Sequence, residues 1–312
     1  METYIKDITY IKDIDKDEVR SGFLVTTDRK KIWNKEIEIL MELDRICKKH
    51  SIKYFALFGT MLGAVRHKGF VPWDDVVDVV MMRPDYMRFI ELASQETKYP
   101  YFLQNAYTDN RIINWSNFMD DTTSAIDNWD DFDSHQGICV NIFPLDVVPD
   151  GSARANALDE MLKEIWISVI TPQQVIDGLE KGVTTHVSPN TLERIIGMPL
   201  KDRMRVYEDF CLKHFEDSSE VCSHMLYWTN RSKPLLKEWF NDIDYIDFEG
   251  VQIPVSANKD AVLTKLYGEW SQPKHSSTLH EGIFMTPDIP FKVAMEQINR
   301  DLLLCGEYLW NS

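Results

Sequence analysis

The stretch from Ala56 to Arg83 is ALFGTMLGAVRHKGFVPWDDVVDVVMMR, and its pattern predicts a strand, a short helix and a second strand. Residues 53–58 form the first strand candidate, which ends at the Gly59-Thr60 pair, and a short helix over 61–67 follows. Residues 76–82 are apolar apart from one Asp, which is typical of a buried strand. A strand–turn–helix unit beside a buried strand favours a domain that mixes helices with a small sheet.

The Gly59-Thr60 pair is a candidate phosphate site. A strand that ends in Gly and continues through a small hydroxyl residue into a helix leaves backbone N–H groups pointing at one spot, which suits an anion. The alternative is an ordinary strand-to-helix turn, and the pair alone does not decide between them.

Three carboxylates, Asp74, Asp75 and Asp78, lie at the start of the buried strand. Two acids at i and i+2 on a strand share one face and could hold Mg²⁺ or Mn²⁺, but such a pair needs acids at both 76 and 78, and this chain has Val76. The alternative is a solvated acidic turn in which a local donor satisfies Asp78.

The rest of the chain extends the mixed pattern to about residue 150. Helices are predicted over 33–50 and 84–97, and strands over 101–105, 111–119 and 137–143. After Pro149-Asp150-Gly151 the pattern is mostly helical, with one late strand that Pro254 would stop. We therefore expect an α/β (α+β) protein: a core over 1–150 with a small mixed sheet flanked by helices, and a mainly helical region over 151–312 that shares the core and completes the substrate site.

Composition excludes several function classes. The 312 residues carry 50 Asp plus Glu against 34 Lys plus Arg, so the net charge is −16, which disfavours nucleic acid as a partner. The five cysteines form no CxxC pair, which argues against a disulfide framework or a zinc site. No apolar run approaches the roughly 20 residues that span a bilayer, so we expect a cytoplasmic protein without stable membrane insertion.

The run GTMLGAVRHKGFVPWDD with the following strand resembles the signature of the LicD family. Two later blocks agree: Gly137 to Asp146 resembles the second block of the family, and Phe248-Glu249-Gly250 with Leu266 to Trp270 resembles its C-terminal block. The resemblance covers roughly residues 33–285. It implies a nucleotidyltransferase-type fold, in a family that includes phosphorylcholine transferases and fukutin-related proteins.

The resemblance also implies an activity. A phosphorylated alcohol such as phosphocholine would move from a CDP-linked donor such as CDP-choline to a sugar hydroxyl. The acceptor would be a glycan or lipid-linked glycan, for example a teichoic acid or lipopolysaccharide precursor. Mg²⁺ or Mn²⁺ held by strand carboxylates would offset the charge of the transferred group. The acceptor would bring the protein transiently to the inner face of the membrane.

The chain departs from the family pattern at two positions. The family has Trp-Asp-Asp-Asp-x-Asp where this chain has Trp73-Asp74-Asp75-Val76-Val77-Asp78, and it has Asp where this chain has Asn141. The catalytic positions implied are thus Asp78, Asn141 and Val76, with Asp78 as the surviving metal ligand. The chain is then an inactivated variant, a degenerate member that binds without turnover, or an enzyme whose Asp74 and Asp75 move inward.

Further residues are substrate-binding candidates. The resemblance favours a diphosphate contact for Arg66 over a helix-end charge, and Arg111 could reach a phosphate from its strand. Asp146, expected on the loop after the strand of Asn141, would touch substrate or stabilise a turn. Three tryptophans, Trp73, Trp115 and Trp129, could box a quaternary ammonium or belong to the core.

Two other functions stay open. A metal-independent binding protein would bind cytidine nucleotides without releasing CMP, and a nucleotidyltransferase acting on a small alcohol would release pyrophosphate from a nucleoside triphosphate. The released product separates these from the transferase.

Overall fold

A computed structural model describes residues 9–109, 111–129, 131, 133–274 and 283–298, so the end of the region predicted over 151–312 lies outside the described residues. The described strands are β1 (Glu18–Arg20), β2 (Phe23–Val25), β3 (Phe55–Ala56), β4 (Val77–Met82), β5 (Tyr101–Gln104), β6 (Ser116–Asp120), β7 (Ser124–Ile126), β8 (Ile138–Val148), β9 (Glu220–Cys222), β10 (Leu235–Leu236), β11 (Ile243–Phe248), β12 (Val251–Ser256) and β13 (Phe284–Thr286). The described α-helices are α1 (Thr27–Lys49), α2 (Phe58–His67), α3 (Arg83–Glu96), α4 (Ala153–Ile170), α5 (Pro172–Glu180), α6 (Pro189–Ile196), α7 (Leu200–Lys213), α8 (His224–Trp228) and α9 (Lys259–Tyr267). Residues 237–240 form a 3₁₀ turn, and residues 291–298 are helical.

β8 organises a mixed sheet that has seven strands in the described part of the chain. β4 pairs with β8 in parallel, and β3 pairs antiparallel with β4. β6 pairs antiparallel with the first part of β8, β9 pairs with its last part, and β5 and β10 extend from β6 and β9. Helices flank this sheet, which confirms the predicted α/β class.

α1 covers part of the sheet, packing against β8 and β6. The Thr26 hydroxyl caps the helix by accepting from the Arg29 N–H at 3.3 Å. Trp33, Ile37 and Leu40 lie on its buried face, spaced as an amphipathic helix requires. The helix begins six residues before the predicted 33–50 range because its first turn is polar and carries no apolar periodicity.

The sheet continues past residue 150. β8 extends to Val148 rather than ending at the predicted residue 143, and β9, from the second part of the chain, pairs with its end at Val147 opposite Val221. One hydrophobic cluster contains buried residues from both parts, such as Leu145 and Tyr207. The segment after residue 150 therefore adds to the same core and the same sheet.

The prediction that Pro254 stops the late strand is wrong. β12 continues to Ser256, and Pro254 lies opposite Tyr245 of β11 in a two-stranded hairpin. Proline is tolerated there because a two-stranded sheet has open edges where a missing N–H breaks no ladder. Within the described ranges, no helix combines the length and the apolar composition needed to cross a bilayer.

Candidate active site

A row of polar side chains crosses four neighbouring strands. Asp78 on β4 lies opposite Asn141 on β8, Asn141 lies opposite Asn117 on β6, and Asn117 lies opposite Gln104 on β5. Directly opposed residues share a face of a sheet, so these four side chains form one continuous polar row. The pairing register thus places the predicted residues 78 and 141 side by side.

Hydrogen bonds organise the row in two pairs. Asn141 Nδ2 donates to Asp78 Oδ1 at 2.9 Å, and Asn117 Nδ2 donates to Gln104 Oε1 at 2.9 Å. Val76, two residues before Asp78, lies on the wall of the adjacent cavity. The structure therefore brings the three predicted catalytic positions together, with one carboxylate, one amide and one apolar side chain among them.

The start of α2 lies next to Asp78. The Asp78 N–H donates to the Thr60 hydroxyl oxygen at 2.8 Å, and Thr60 is buried. A Cβ added at Gly59 would come within 2.1 Å of Asp74 Oδ2, so the Asp74 carboxylate lies directly against this glycine. Gly59 and Thr60 occupy the first turn of α2 rather than a loop before it. Their phosphate role stays a prediction, but the structure places both beside the acidic cluster.

α1 fixes the position of the acidic turn. Arg29 Nη1 and the Trp33 indole N–H both donate to the backbone oxygen of Asp74, at 2.8 and 3.0 Å. The turn is closed by the Asp74 N–H donating to the Val71 oxygen, and the Asp75 N–H donates to Asp74 Oδ1. Asp74 and Asp75 therefore lie in the predicted turn, which two side chains of α1 clamp from one side.

Glu36 is a buried carboxylate on the same face of α1. It is 0% exposed, and neither of its carboxylate oxygens has a hydrogen-bond partner among the described residues. Burial raises the pKa of Glu36 well above its usual range, and the charges of Asp75, Asp74 and Asp78 raise it further. A buried carboxylate without a partner costs on the order of several kcal/mol, so this position calls for a compensating ligand.

A cavity of about 540 Å³ opens above the polar row. Its lining includes the row residues Gln104, Asn117 and Asn141, together with Glu36, Val76, Arg111, Trp115, His135, Phe143 and Arg231.

Two arginines supply positive charge to this cavity. Arg111 Nη2 donates to Asp127 Oδ2 at 2.9 Å, and Arg231 is exposed with no ion pair to a described residue. Arg111 lies before β6 rather than in the predicted strand. Cations at this place suit the phosphates of a nucleotide in an otherwise acidic protein.

The three tryptophans do not form a box. Trp115 lines the cavity, where its ring lies 5.7 Å from that of Phe143. Trp73 is buried and packs against Phe23, and Trp129 packs against Phe284 in a separate cluster. Trp115 and Phe143 thus give the cavity one aromatic wall.

Arg66 lies at the far end of α2. Its Nη1 donates to the backbone oxygen of Trp270 at 2.9 Å, and burial lowers the pKa of its guanidinium. Nearby Tyr267, in the predicted C-terminal block, has a raised pKa because its phenol is desolvated and faces the charges of Asp78 and Asp74. Arg66 therefore joins the C-terminal block to the helix that begins at the site, and its diphosphate contact stays a prediction.

The expected position of Asp146 is wrong. Asp146 lies inside β8, not on a loop, and it is 1% exposed. Arg83 Nε and Nη2 bind its two carboxylate oxygens at 2.7 and 2.5 Å. Although burial alone would raise the pKa of Asp146, the charge of Arg83 holds it below its ordinary value. These contacts make Asp146 half of a buried ion pair.

The same region contains three metal-type side chains close together, namely Asp146, Cys211 and His224. They do not fit a metal ion, since Arg83 occupies the Asp146 carboxylate. Both His224 ring nitrogens are also engaged, one with the Tyr207 hydroxyl and one with the Val147 oxygen.

Sequence reasoning missed Glu36, Asn117, Gln104 and Arg231. A signal for Glu36 was present: it falls three residues after Trp33 and four before Leu40, on the stripe that periodicity assigns to the buried face. No comparable signal marked the amides, because strand register is set by pairing in three dimensions.

The small mixed sheet, the Gly59-Thr60 pair in the first turn of a helix and Asp78 opposite Asn141 on the next strand agree with the fold that the resemblance implies. Residues 51–176 match the family described as "LicD/FKTN/FKRP, nucleotidyltransferase domain". Over residues 51–176 the chain is therefore similar to the nucleotidyltransferase domain of that family.

Individual proteins agree with this assignment. The chain is 25% identical over 236 residues to lipopolysaccharide cholinephosphotransferase LicD of Haemophilus influenzae, covering 75% of this chain and 88% of that protein. It is also 32% identical over 68 residues to an uncharacterized protein of Rickettsia typhi, covering 22% of each chain. An uncharacterized protein of Rickettsia prowazekii is 34% identical over 71 residues, covering 23% of this chain and 24% of that protein.

Proposed function

We propose that this protein transfers phosphocholine from CDP-choline to a sugar hydroxyl of a cell-envelope glycan precursor, at the cytoplasmic side of the membrane. The observation that carries the proposal is a cavity of about 540 Å³ lined by Gln104, Asn117 and Asn141 of the polar row. Asp78 lies next to it, because its Oδ1 accepts a hydrogen bond from Asn141 Nδ2 at 2.9 Å. The similarity to the Haemophilus influenzae cholinephosphotransferase supports phosphocholine as the transferred group.

The cavity offers matching surfaces for such a donor. Arg111 and Arg231 would bind the diphosphate, and Trp115 with Phe143 would pack against the choline head, whose positive charge is attracted to an aromatic face. The amides of Asn117 and Gln104 present hydrogen-bonding groups in the same cavity. A zwitterionic donor is thereby held by cations at one end and by an aromatic wall at the other.

The reaction is a displacement at phosphorus. The oxygen of the acceptor hydroxyl forms a bond to the phosphorus that carries choline, the bond from that phosphorus to the CMP oxygen breaks, and CMP leaves with the electron pair. The hydroxyl proton passes to a carboxylate of the Asp74–Asp78 segment. Mg²⁺ or Mn²⁺, with Asp78 as a ligand, would offset the charge on the transferred group and on CMP.

A second function has one specific observation in its favour. The Asn141 amide already donates to Asp78 Oδ1, and Val76 offers no ligand, so Asp78 is stabilised without a cation. A cytidine-nucleotide binder that needs no metal and releases no CMP is consistent with that hydrogen bond.

The test is CMP release from CDP-choline, with Mg²⁺ or Mn²⁺ and a crude glycan acceptor. The natural chain is compared with Val76→Asp/Asn141→Asp, and Asn156→Asp is the matched control because it makes an amide-to-acid change at an exposed position of α4 that does not line the cavity. We expect the double variant to release CMP at least about tenfold faster, since added anionic ligands strengthen cation binding, and the control to match the natural chain.

Each other outcome has a distinct meaning. Equal CMP release by the natural chain and the double variant supports the transferase activity. It also shows that positions 76 and 141 do not contribute to the metal site. Release of pyrophosphate from a nucleoside triphosphate indicates a nucleotidyltransferase. No release by either, together with metal-independent CDP-choline affinity, refutes the transferase and favours the binder.

A further inference from the structure

Glu36 has the properties of a ligand that lacks its partner. Both of its oxygens are fully buried without a hydrogen-bond partner among the described residues, yet the side chain lines the cavity beside Val76 and Asn141. An ionised group taken out of water needs an opposite charge or donors. In the described part of the chain, no side chain within hydrogen-bonding distance meets that need.

The geometry of α1 aims Glu36 at the acidic turn. Arg29, Trp33 and Glu36 follow one another at i, i+4 and i+7, which places them on one face of the helix. The first two donate to the backbone oxygen of Asp74, so the third faces the same turn one helical turn further along. Glu36 also lies near enough to Asp75, Asp74 and Asp78 to be affected by their charges.

We propose that Glu36 is a direct ligand of a divalent cation bound between Glu36, Asp78 and the Asp74–Asp75 turn, replacing carboxylates absent at 76 and 141. The choice of Mg²⁺ or Mn²⁺ rests on the proposed function. Hard divalent cations prefer oxygen ligands, and carboxylates are the groups this site offers.

The acids do not form a preformed cluster of three ligand atoms. Among the described residues, these carboxylates are not gathered in threes within 4.8 Å of one another. We therefore expect the side chains to move together when the cation binds, because each carboxylate is attracted to it.

The experiment measures Mn²⁺ binding to the full chain by titration calorimetry and electron paramagnetic resonance, without donor or acceptor. Glu36→Gln keeps the shape of the side chain and removes its charge. Asp44→Asn is the matched control, because Asp44 is a buried acid on the same helix that is already bonded to Tyr54 and Lys48. We expect Glu36→Gln to weaken Mn²⁺ binding at least about tenfold, as loss of an anionic ligand should, and Asp44→Asn to bind as the natural chain does.

Thermal unfolding supplies a second readout. Without metal, Glu36→Gln should melt at or above the natural chain, since it replaces an ionisable group that is buried among other acids with a neutral one. With Mn²⁺, the natural chain should gain stability and the variant should gain less. If Glu36→Gln does not fold, Glu36→Ala takes its place.

Equal Mn²⁺ affinity in the natural chain and the Glu36 variant overturns the proposal, as does an absence of Mn²⁺ binding by the natural chain. Because this assay needs no turnover, its failure is distinct from a failure to release CMP.

Discussion

Replacing Asp146 by Asn removes one charge of the buried pair that joins β8 to α3. Arg83 and Asp146 are 0% and 1% exposed, and two hydrogen bonds link the guanidinium to the carboxylate. Glu208 lies 3.7 Å from another Arg83 nitrogen, but it also accepts from Tyr107, and burial raises its pKa. Glu208 is therefore a poor substitute, and Asp146→Asn leaves a largely uncompensated cation in the core.

The size of the effect follows from that geometry. Breaking a buried pair by removing one partner typically costs about 3–5 kcal/mol, because the remaining charge has lost its solvent and its partner. A domain is stable by only about 5–15 kcal/mol, so the loss is a large fraction of the total. We expect a value near 4 kcal/mol, within about 1 kcal/mol, since both charges are fully buried.

The assay is urea unfolding followed by circular dichroism and tryptophan fluorescence. With a slope of about 3 kcal/mol/M or more, a loss of about 4 kcal/mol lowers the unfolding midpoint by about 1 M. Arg88→Met is the control, because Arg88 lies on the same helix in a pair with Asp85 and its side chain is 52% exposed. Exposed pairs contribute about 0–1 kcal/mol.

Two results would refute the reasoning. A loss for Asp146→Asn no larger than that of Arg88→Met would show that the buried pair contributes little. Unchanged stability with a raised KM for the donor would instead give Asp146 the substrate contact that the sequence suggested.

The remaining predictions concern close packing and acidity. Gly63→Ala should lower the free energy of unfolding by about 1–3 kcal/mol, because the added Cβ would lie 2.4 Å from the Gly69 backbone oxygen. Gly59→Ala should lower it less, because the atoms nearest to its added Cβ belong to the Asp74 side chain, which can rotate away. Thermal melts of both variants compare them. The stability difference between the natural chain and Asp146→Asn should be constant above about pH 5 and shrink below about pH 4. The folded protein lowers the pKa of Asp146, so the carboxylate stabilises the fold fully at pH values above the pKa of the unfolded chain, about 3.9. That contribution is lost as the pH falls through the pKa of the folded protein. Urea titrations from pH 3 to pH 7 measure it, and a difference that grows toward low pH contradicts it.

Local patterns predicted much of the fold. Buried apolar runs identified β4 and β8, and helical periodicity identified α1 and α3 with errors at their ends. The errors arose where the local sequence does not indicate the end of the element. The first turn of α1 is polar, and β8 continues through Pro144 because β4 and β9 pair along it. Pairing partners distant in sequence set the length of a strand.

The candidate site divides in the same way. Asp78 and position 141 were identified in sequence because the family pattern marks them, and the structure places them in direct hydrogen bond. Asp146 was misassigned because nothing in the residues near it shows that Arg83, 63 positions away, holds its carboxylate.

The sequence by itself determined the mixed helix and sheet composition, the acidic turn and the family signature, because these depend on residues that are neighbours along the chain. Tertiary structure alone decided the polar row across four strands, the cavity beside it and the burial of Glu36 without a hydrogen-bond partner among the described residues. Strand register and helix docking bring together groups from α1, β4, β5, β6 and β8. The physical reason is that burial and charge compensation depend on what surrounds a group in space, which local sequence does not specify.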